Sequence, residues 1–166
     1  MLDELHADEI LNALNERGVD FVLIGGLALG AHGVIRGTKD VDIVPDPVTG
    51  NLAVLADALE ALNARVDLRD IEPAELGIEP DADGLGMGGN WVLVTDQGRL
   101  DVLQEVAGVS GYEQLRAHAV AMRVPGVAGP VLAAGYDDVI AMKVAAGREQ
   151  DLIDIDSLRR ARGEID

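Results

Sequence analysis

The chain has 166 residues and a mass of 17.4 kDa, which at roughly 100–200 residues per domain is one domain, 1–166. Hydrophobic residues make up 48% and charged residues 26%, near globular averages, which excludes disordered, collagen-like and low-complexity classes. Thirty Asp plus Glu against 13 Lys plus Arg leave a net charge of −17, which repels nucleic acid and anionic membrane unless the few cations are concentrated or metal ions intervene.

Residues 5–17 predict an amphipathic helix, with Ala7, Ile10, Leu11 and Leu14 on one stripe and Gly18 just past its end. Phe21-Val22-Leu23-Ile24 is a short apolar run, the mark of a buried strand, and it stops at Gly25-Gly26. A short small-residue helix through Leu27, Ala28, Leu29 and Ala31 ends near Gly33. Asp40–Val44 is a strand by its β-branched content, ended by Pro45 and Pro47. Leu52, Leu55, Ala56, Leu59 and Leu62 mark a second amphipathic helix. In 67–89, Asp67, Asp70, Glu72, Glu75, Glu79, Asp81 and Asp83 oppose only Arg69, and a glycine-rich tail follows. This predicts an irregular segment, a solvated loop in preference to a flap over a site, with its acids away from the chemistry.

Trp91–Thr95 and Arg99–Leu103 flank Asp96-Gln97-Gly98 and read as a β-hairpin. Tyr112, Leu115, Ala119 and Met122 predict a helix, and Gly129–Leu132 a short edge strand, where Pro130 is tolerated. The last third is helical, through Val139, Ile140 and Val144 and then Leu152, Ile155 and Leu158, divided or bent at Gly147. The order predicts an α+β fold: a small mixed sheet, helices mainly on one face, a core of about 5–125 and a C-terminal helical segment of about 135–162.

The most informative segment is Asp40-Val41-Asp42-Ile43. Strand side chains alternate, so Asp40 and Asp42 share one face while Val41 and Ile43 face the core. Two carboxylates about 7 Å apart on one strand face repel each other unless a cation lies between them. Oxygen-only ligation of this kind suits Mg²⁺ or Mn²⁺. Asp101 interrupts an apolar strand in the same way and completes a patch of three if its strand lies beside 40–44. The plainer alternative is a solvent face of a half-exposed sheet, but Asp is depleted in strands. Gly25 and Gly26 let the backbone turn tightly and approach a ligand, and the helix they open offers free N–H groups to phosphate. Arg36 and Lys39 place cations just before Asp40.

Ile24-Gly25-Gly26, 13 residues, then Asp40-Val41-Asp42-Ile43 resembles the signature of the DNA polymerase β-like nucleotidyltransferase superfamily, with Asp101 in the place of its third carboxylate. Within it the chain is most similar to small bacterial nucleotidyltransferase-like proteins of the AbiEii/MenT toxin type. Arg36 before the Asp pair and Lys143…Arg148…Asp151…Asp154 in the last third carry that likeness, which spans roughly 20–158. Where many members have Ser after the first glycine, this chain has Gly26, followed by Leu27, so a side-chain contact to the terminal phosphate is missing or replaced by backbone N–H groups. The resemblance implies a Mg²⁺- or Mn²⁺-dependent transfer of a nucleoside monophosphate from an NTP to an acceptor hydroxyl. Asp40, Asp42 and Asp101 would be the catalytic metal ligands. Gly25, Gly26, Arg36, Lys39, Lys143, Arg148 and Asp151 would bind the nucleotide. The acceptor implied is RNA such as a tRNA 3′ end, with a cognate antitoxin as partner. The alternatives are a small antibiotic-type acceptor, or a non-catalytic binding or antitoxin-like module.

Other features have plainer readings. On one continuous helix Lys143, Gly147 and Asp154 would lie near one face, with Asp151 beside them and Gly147 leaving room for a ligand. Lys143 sits in an apolar turn, where a charge needs a partner: an acid such as Asp151, or a nucleotide. His6, His32 and His118 have no metal-ligand spacing, and Trp91 reads as packing in a chain with 2% aromatics. Arg159, Arg160 and Arg162 read as a solvated helix end, with contact to RNA phosphate as the sharper alternative. No cysteine is present and no apolar run approaches 18 residues. With an acidic start, Met1-Leu2-Asp3-Glu4, this fits a cytoplasmic protein without a membrane partner.

Overall fold

The computed structural model describes residues 4–67 and 77–166. Its described elements are, in order, α1 (Ala7–Glu16), β1 (Phe21–Ile24), α2 (Gly25–Ala28, continued by a 3₁₀ turn at Leu29–His32), β2 (Asp40–Pro45), α3 (Thr49–Ala61) and β3 (Arg65–Val66). Next come α4 (Ala82–Gly86), β4 (Asn90–Thr95), β5 (Gly98–Leu103), α5 (Tyr112–His118), β6 (Val120–Met122) and β7 (Val131–Ala133). Helices α6 (Tyr136–Ala146) and α7 (Glu149–Ala161) complete the chain. The strands form one mixed seven-stranded sheet in the order β3-β4-β5-β2-β1-β7-β6. Strand β2 is antiparallel to β1 and parallel to β5, and β1 is parallel to β7.

Alternation along the strands sorts the side chains into two cores. Phe21, Leu23, Val41, Ile43, Leu100 and Val102 face α1, α3 and α4, where Ile10, Leu11, Leu55 and Leu85 are fully buried. Val22, Ile24 and Val44 face the other way and pack with Leu115 of α5, Val139 of α6 and Leu158 of α7. The C-terminal helices therefore cover the sheet face that carries the even-numbered residues of β2. No described helix is long and apolar enough to cross a membrane.

The structure differs from the sequence reading in several places: helices cover both faces of the sheet and not mainly one, because each face carries its own apolar set, and Arg65–Val66 adds strand β3 beside β4. The predicted helix from Tyr112 stops at His118, and Val120–Met122 forms β6 against β7. Leu115, Ala119 and Met122 keep a helical spacing by coincidence, and the open edge of β7 captures the chain after Ala119 turns extended. As a result β7 is an interior strand and not an edge; Pro130 lies just before it, where no ladder hydrogen bond is lost. The segment 67–89 contains α4, capped by Asp81, whose side chain accepts the Gly84 N–H at 2.8 Å. The remainder of that reading, including Arg69, Asp70, Glu72 and Glu75, lies outside the described residues. Gly147 divides the C-terminal helices as expected, by a left-handed break (φ 61°), so the single continuous face considered for Lys143, Gly147 and Asp154 does not exist. Its role is to end α6, and Arg148 begins the next helix at once.

That break tests a stability difference between two glycines. Gly147→Ala forces a Cβ into the left-handed region and should cost about 1–2 kcal/mol. Gly50→Ala, inside α3 with open space around it, should stabilise by roughly 0.5–1 kcal/mol. Urea unfolding midpoints of the two variants should move in opposite directions from the parent.

Candidate active site

The register of β2 against β5 builds the site. Asp42 pairs with Asp101 and Asp40 with Arg99, so the two strands set Asp42 and Asp101 side by side. Asp40 is on the same face two residues earlier. One carboxylate oxygen from each of Asp40, Asp42 and Asp101 lies within 4.8 Å of the others, the only such group of three metal-ligand side chains among the described residues. Oδ1 of Asp101 is buried and has no hydrogen-bond partner. An acceptor without a donor in a half-buried acidic cluster calls for a cation, and the all-oxygen set fits Mg²⁺ or Mn²⁺.

Burial pushes the Asp42 carboxyl up to about 8, helped by the Asp40 and Asp101 charges and opposed by Lys143. Asp101 is raised by burial and by Asp40, with a hydrogen bond shared with the Asp42 carboxyl and then the Arg99 charge pulling the other way. Arg99 is itself held by Asp67 at 2.7 Å. Asp67 was expected away from the chemistry with its acidic neighbours; in fact it neutralises the cation beside Asp101.

Gly25 has φ 75°, and a Cβ built on it would land on the Asp42 carboxylate. The glycine is therefore required twice, for the left-handed backbone and for the approach of the ligand strand. A Cβ on Gly26 would lie 3.1 Å from Nη1 of Arg36 and 3.1 Å from Oγ1 of Thr38.

All ten residues expected to catalyse or to bind nucleotide line one cleft of about 580 Å³: Gly25, Gly26, Arg36, Lys39, Asp40, Asp42, Asp101, Lys143, Arg148 and Asp151. Apolar side chains complete the lining: Leu103, Val106, Val139, Met142 and Ala146. Lys39 is exposed and makes no ion pair among the described residues. The other three cations are engaged. Lys143, buried, donates from Nζ to Asp151 (3.2 Å) and reaches Asp154 (2.9 Å), so the ion-pair reading of this residue is realised within the cleft wall. Arg148, with a side chain 75% exposed, donates from Nε to Asp151 at 2.7 Å. Arg36 forks onto Asp154, Nε to Oδ1 at 2.8 Å and Nη2 to Oδ2 at 2.9 Å.

Asp154 is the residue the sequence-based site omitted. It is 1% exposed and receives Arg36, Lys143 and Gln150 together. Burial alone would raise the Asp154 and Asp151 carboxyls, but the hydrogen bonds from Arg36 and Lys143, and from Arg148 and Lys143, hold both below the ordinary carboxylate range. Two acids on an otherwise amphipathic helix were the available signal. Reading it required knowing that Gly147 folds α7 back on α6.

The remaining candidates lie elsewhere. Arg159, Arg160 and Arg162 do not line the cleft; Arg160 pairs with Asp156, and Arg162 stacks 4.1 Å from the Tyr136 ring centroid. His32 Nε2 is 2.8 Å from the Ala134 carbonyl, and His118 Nδ1 is 2.9 Å from Asp138. Trp91 packs against the first core and donates to the Gly88 carbonyl.

No protein-family model and no curated protein sequence matches this chain. Among solved structures it is similar to the crystal structure of ANT(2″)-Ia in complex with adenylyl-2″-tobramycin, with a TM-score of 0.55, 20% identity, and 94% of this chain and 85% of that one covered. A solution structure of the antibiotic-resistance factor ANT(2″)-Ia gives a TM-score of 0.47 at 14% identity over 94% and 88% of the two chains. A provisionally assigned nucleotidyltransferase of Thermotoga maritima gives 0.47 at 15% identity over 95% and 90%. The first likeness shows that the chain has the α+β fold of ANT(2″)-Ia.

Two outcomes follow from the carboxylate cluster. Protonation of Asp42 favours the metal-free fold. That contribution is complete below the unfolded pKa of 3.8 and is lost as pH rises through about 8. A divalent ion held by this cluster would compete with that proton, so stabilisation by added Mg²⁺ should grow with pH. Thermal melts with and without 10 mM-range Mg²⁺ should separate more at about pH 9 than at about pH 6; equal separation would remove the cluster as the binding site. Gly25→Ala should reduce the Mg²⁺-induced shift by displacing Asp42, read in the same melts.

Proposed function

We propose that this chain is a Mg²⁺- or Mn²⁺-dependent nucleotidyltransferase that moves a nucleoside monophosphate from an NTP to a hydroxyl of a small acceptor and releases pyrophosphate. The observation that carries the reading is the Asp40–Asp42–Asp101 cluster with the unpartnered, buried Oδ1 of Asp101. These residues would hold the divalent ion, which when bound supplies positive charge at the phosphates and lowers the pKa of the attacking hydroxyl.

The chain's own residues divide the remaining work. Gly25 and Gly26 keep side chains out of the space beside the carboxylates, so a phosphate can approach the backbone. Lys39, exposed at the rim and free of ion pairs among the described residues, is the cation available to a phosphate oxygen. Arg36 and Arg148 present their remaining N–H groups to the same space. The apolar lining excludes water and receives the less polar part of a ligand. In the transfer, a bond forms from the acceptor oxygen to the α-phosphorus. The bond to the pyrophosphate oxygen breaks, and the acceptor proton is lost to solvent or to a carboxylate.

Charge favours the small acceptor over RNA. Four cations line the cleft, Arg36, Lys39, Lys143 and Arg148, against four acids, Asp40, Asp42, Asp101 and Asp151. That leaves no positive track for a polyphosphate backbone, and the 159–162 arginines lie outside the cleft. A chain of net charge −17 draws in a cationic molecule better than a polyanion. Tobramycin, adenylylated in the ANT(2″)-Ia complex, is an acceptor of this class. The RNA acceptor and the antitoxin partner rest on the AbiEii/MenT resemblance alone.

The test is incubation with Mg²⁺ and each labelled NTP in turn, with a panel of amino-sugar acceptors and, separately, total tRNA. Label should enter a small acceptor, and Asp42→Asn should lower the rate by about 100-fold or more, since even outer-shell partners of a metal cost 10–100-fold. Label in tRNA alone would replace the acceptor assignment. No label, together with no Mg²⁺-dependent NTP binding by calorimetry, would end the enzymatic reading.

A further inference from the structure

The cleft contains two sets of opposite charges that do not touch. Arg36, Lys143 and Arg148 line it together with Asp40, Asp42 and Asp101, yet no ion pair joins any of these cations to any of these acids. The nearest members of the two sets flank neighbouring residues. A Cβ on Gly25 would strike the Asp42 carboxylate, and a Cβ on Gly26 would lie 3.1 Å from Arg36 Nη1. The two groups thus flank consecutive residues, whose Cα atoms are about 3.8 Å apart. Opposite charges lining one half-buried cleft attract, and Lys143 pulls on the Asp42 carboxyl, while Asp101 Oδ1 accepts no hydrogen bond.

What separates them is a second pair of acids. Asp151 and Asp154 are each 1% exposed, so water cannot solvate them and an unpaired charge there would be costly. They claim the cations first. Asp154 takes the fork of Arg36 and one contact from Lys143; Asp151 takes Arg148 and the other contact from Lys143. Asp154 stands 118 residues from Arg36 and on a different element, so the arrangement is not a by-product of local sequence.

We propose that Asp154 and Asp151 are positioning residues that hold Arg36, Lys143 and Arg148 off the Asp40–Asp42–Asp101 carboxylates, keeping those oxygens open to a divalent cation. The inference rests on the metal-binding reading of that cluster. Without Asp154, Arg36 is free to swing onto Asp42 or Asp40 and compete with the ion for the same oxygens. The cations remain in the cleft for phosphate while being denied to the metal ligands.

A double-mutant cycle on the full chain, read by Mn²⁺ binding in calorimetry with no nucleotide, tests this. Asp154→Asn should weaken Mn²⁺ binding by about tenfold or more. Arg36→Met alone should change it little, because Arg36 is already held away. Arg36→Met in the Asp154→Asn background should restore most of the lost affinity. If the only effect were loss of a nearby negative charge, the two substitutions would act additively. Additivity, or unchanged affinity in Asp154→Asn, overturns the proposal and leaves the metal reading intact. Absence of Mn²⁺ binding by the parent overturns the metal reading and the proposal with it. Should Asp154→Asn fail to fold in thermal melts, Asp151→Asn with Arg148→Met gives the same cycle with the same criterion.

Discussion

The alignment of Asp42 with Asp101 across two parallel strands is the constraint from which the rest of the site follows. It forces carboxylates together on a half-buried sheet face, where they repel and are poorly hydrated. A fold tolerates this only with compensation, and every neighbouring feature supplies some. Gly25 yields space to Asp42, Asp67 absorbs the charge of Arg99, and the C-terminal helices bring cations to the same cleft. The unpartnered oxygen of Asp101 marks the compensation that protein groups do not provide.

The register itself is fixed from the other side of the same strands. Val41, Ile43, Leu100 and Val102 are fully buried against the α1–α3 layer. A slip of one residue in β2 or β5 would drive Asp42 or Asp101 into that core and expose the aliphatic side chains. Hydrophobic burial on one face therefore holds an electrostatically unfavourable arrangement on the other.

Much of this was legible from sequence because strand alternation is strictly local. Asp-Val-Asp-Ile sorts its own side chains without knowledge of the rest of the fold, and Gly25-Gly26 announces a close approach by residue type. What the sequence did not reveal depended on contacts distant along the chain. Strand β6 exists because β7 offers it an edge, against a helical spacing in its own residues. Arg36 and Asp154 meet only because Gly147 adopts a left-handed conformation and returns α7 to the cleft. Lys143 was read correctly as a charge in need of a partner, but the identity of both partners required that turn.

The buried ion pairs are best understood through what they cost. Replacing such a cluster by well-packed apolar side chains of similar volume is often neutral or stabilising, because desolvation offsets the Coulomb attraction. Stability therefore gives no reason for Asp151, Asp154 and Lys143 to occupy a helix interface that Leu and Met could fill. Their placement makes sense in relation to the cleft. Asp151 and Asp154 hold three cations in the cleft beside the Asp40–Asp42–Asp101 group, where burial raises the Asp42 and Asp101 carboxyls. A phosphate-bearing ligand and a divalent cation are the pair of partners that such a separated arrangement fits, the first against the cations and the second against the acids. The net charge of −17 is then a poor guide to this surface, since the cleft lining itself carries four cations against four acids.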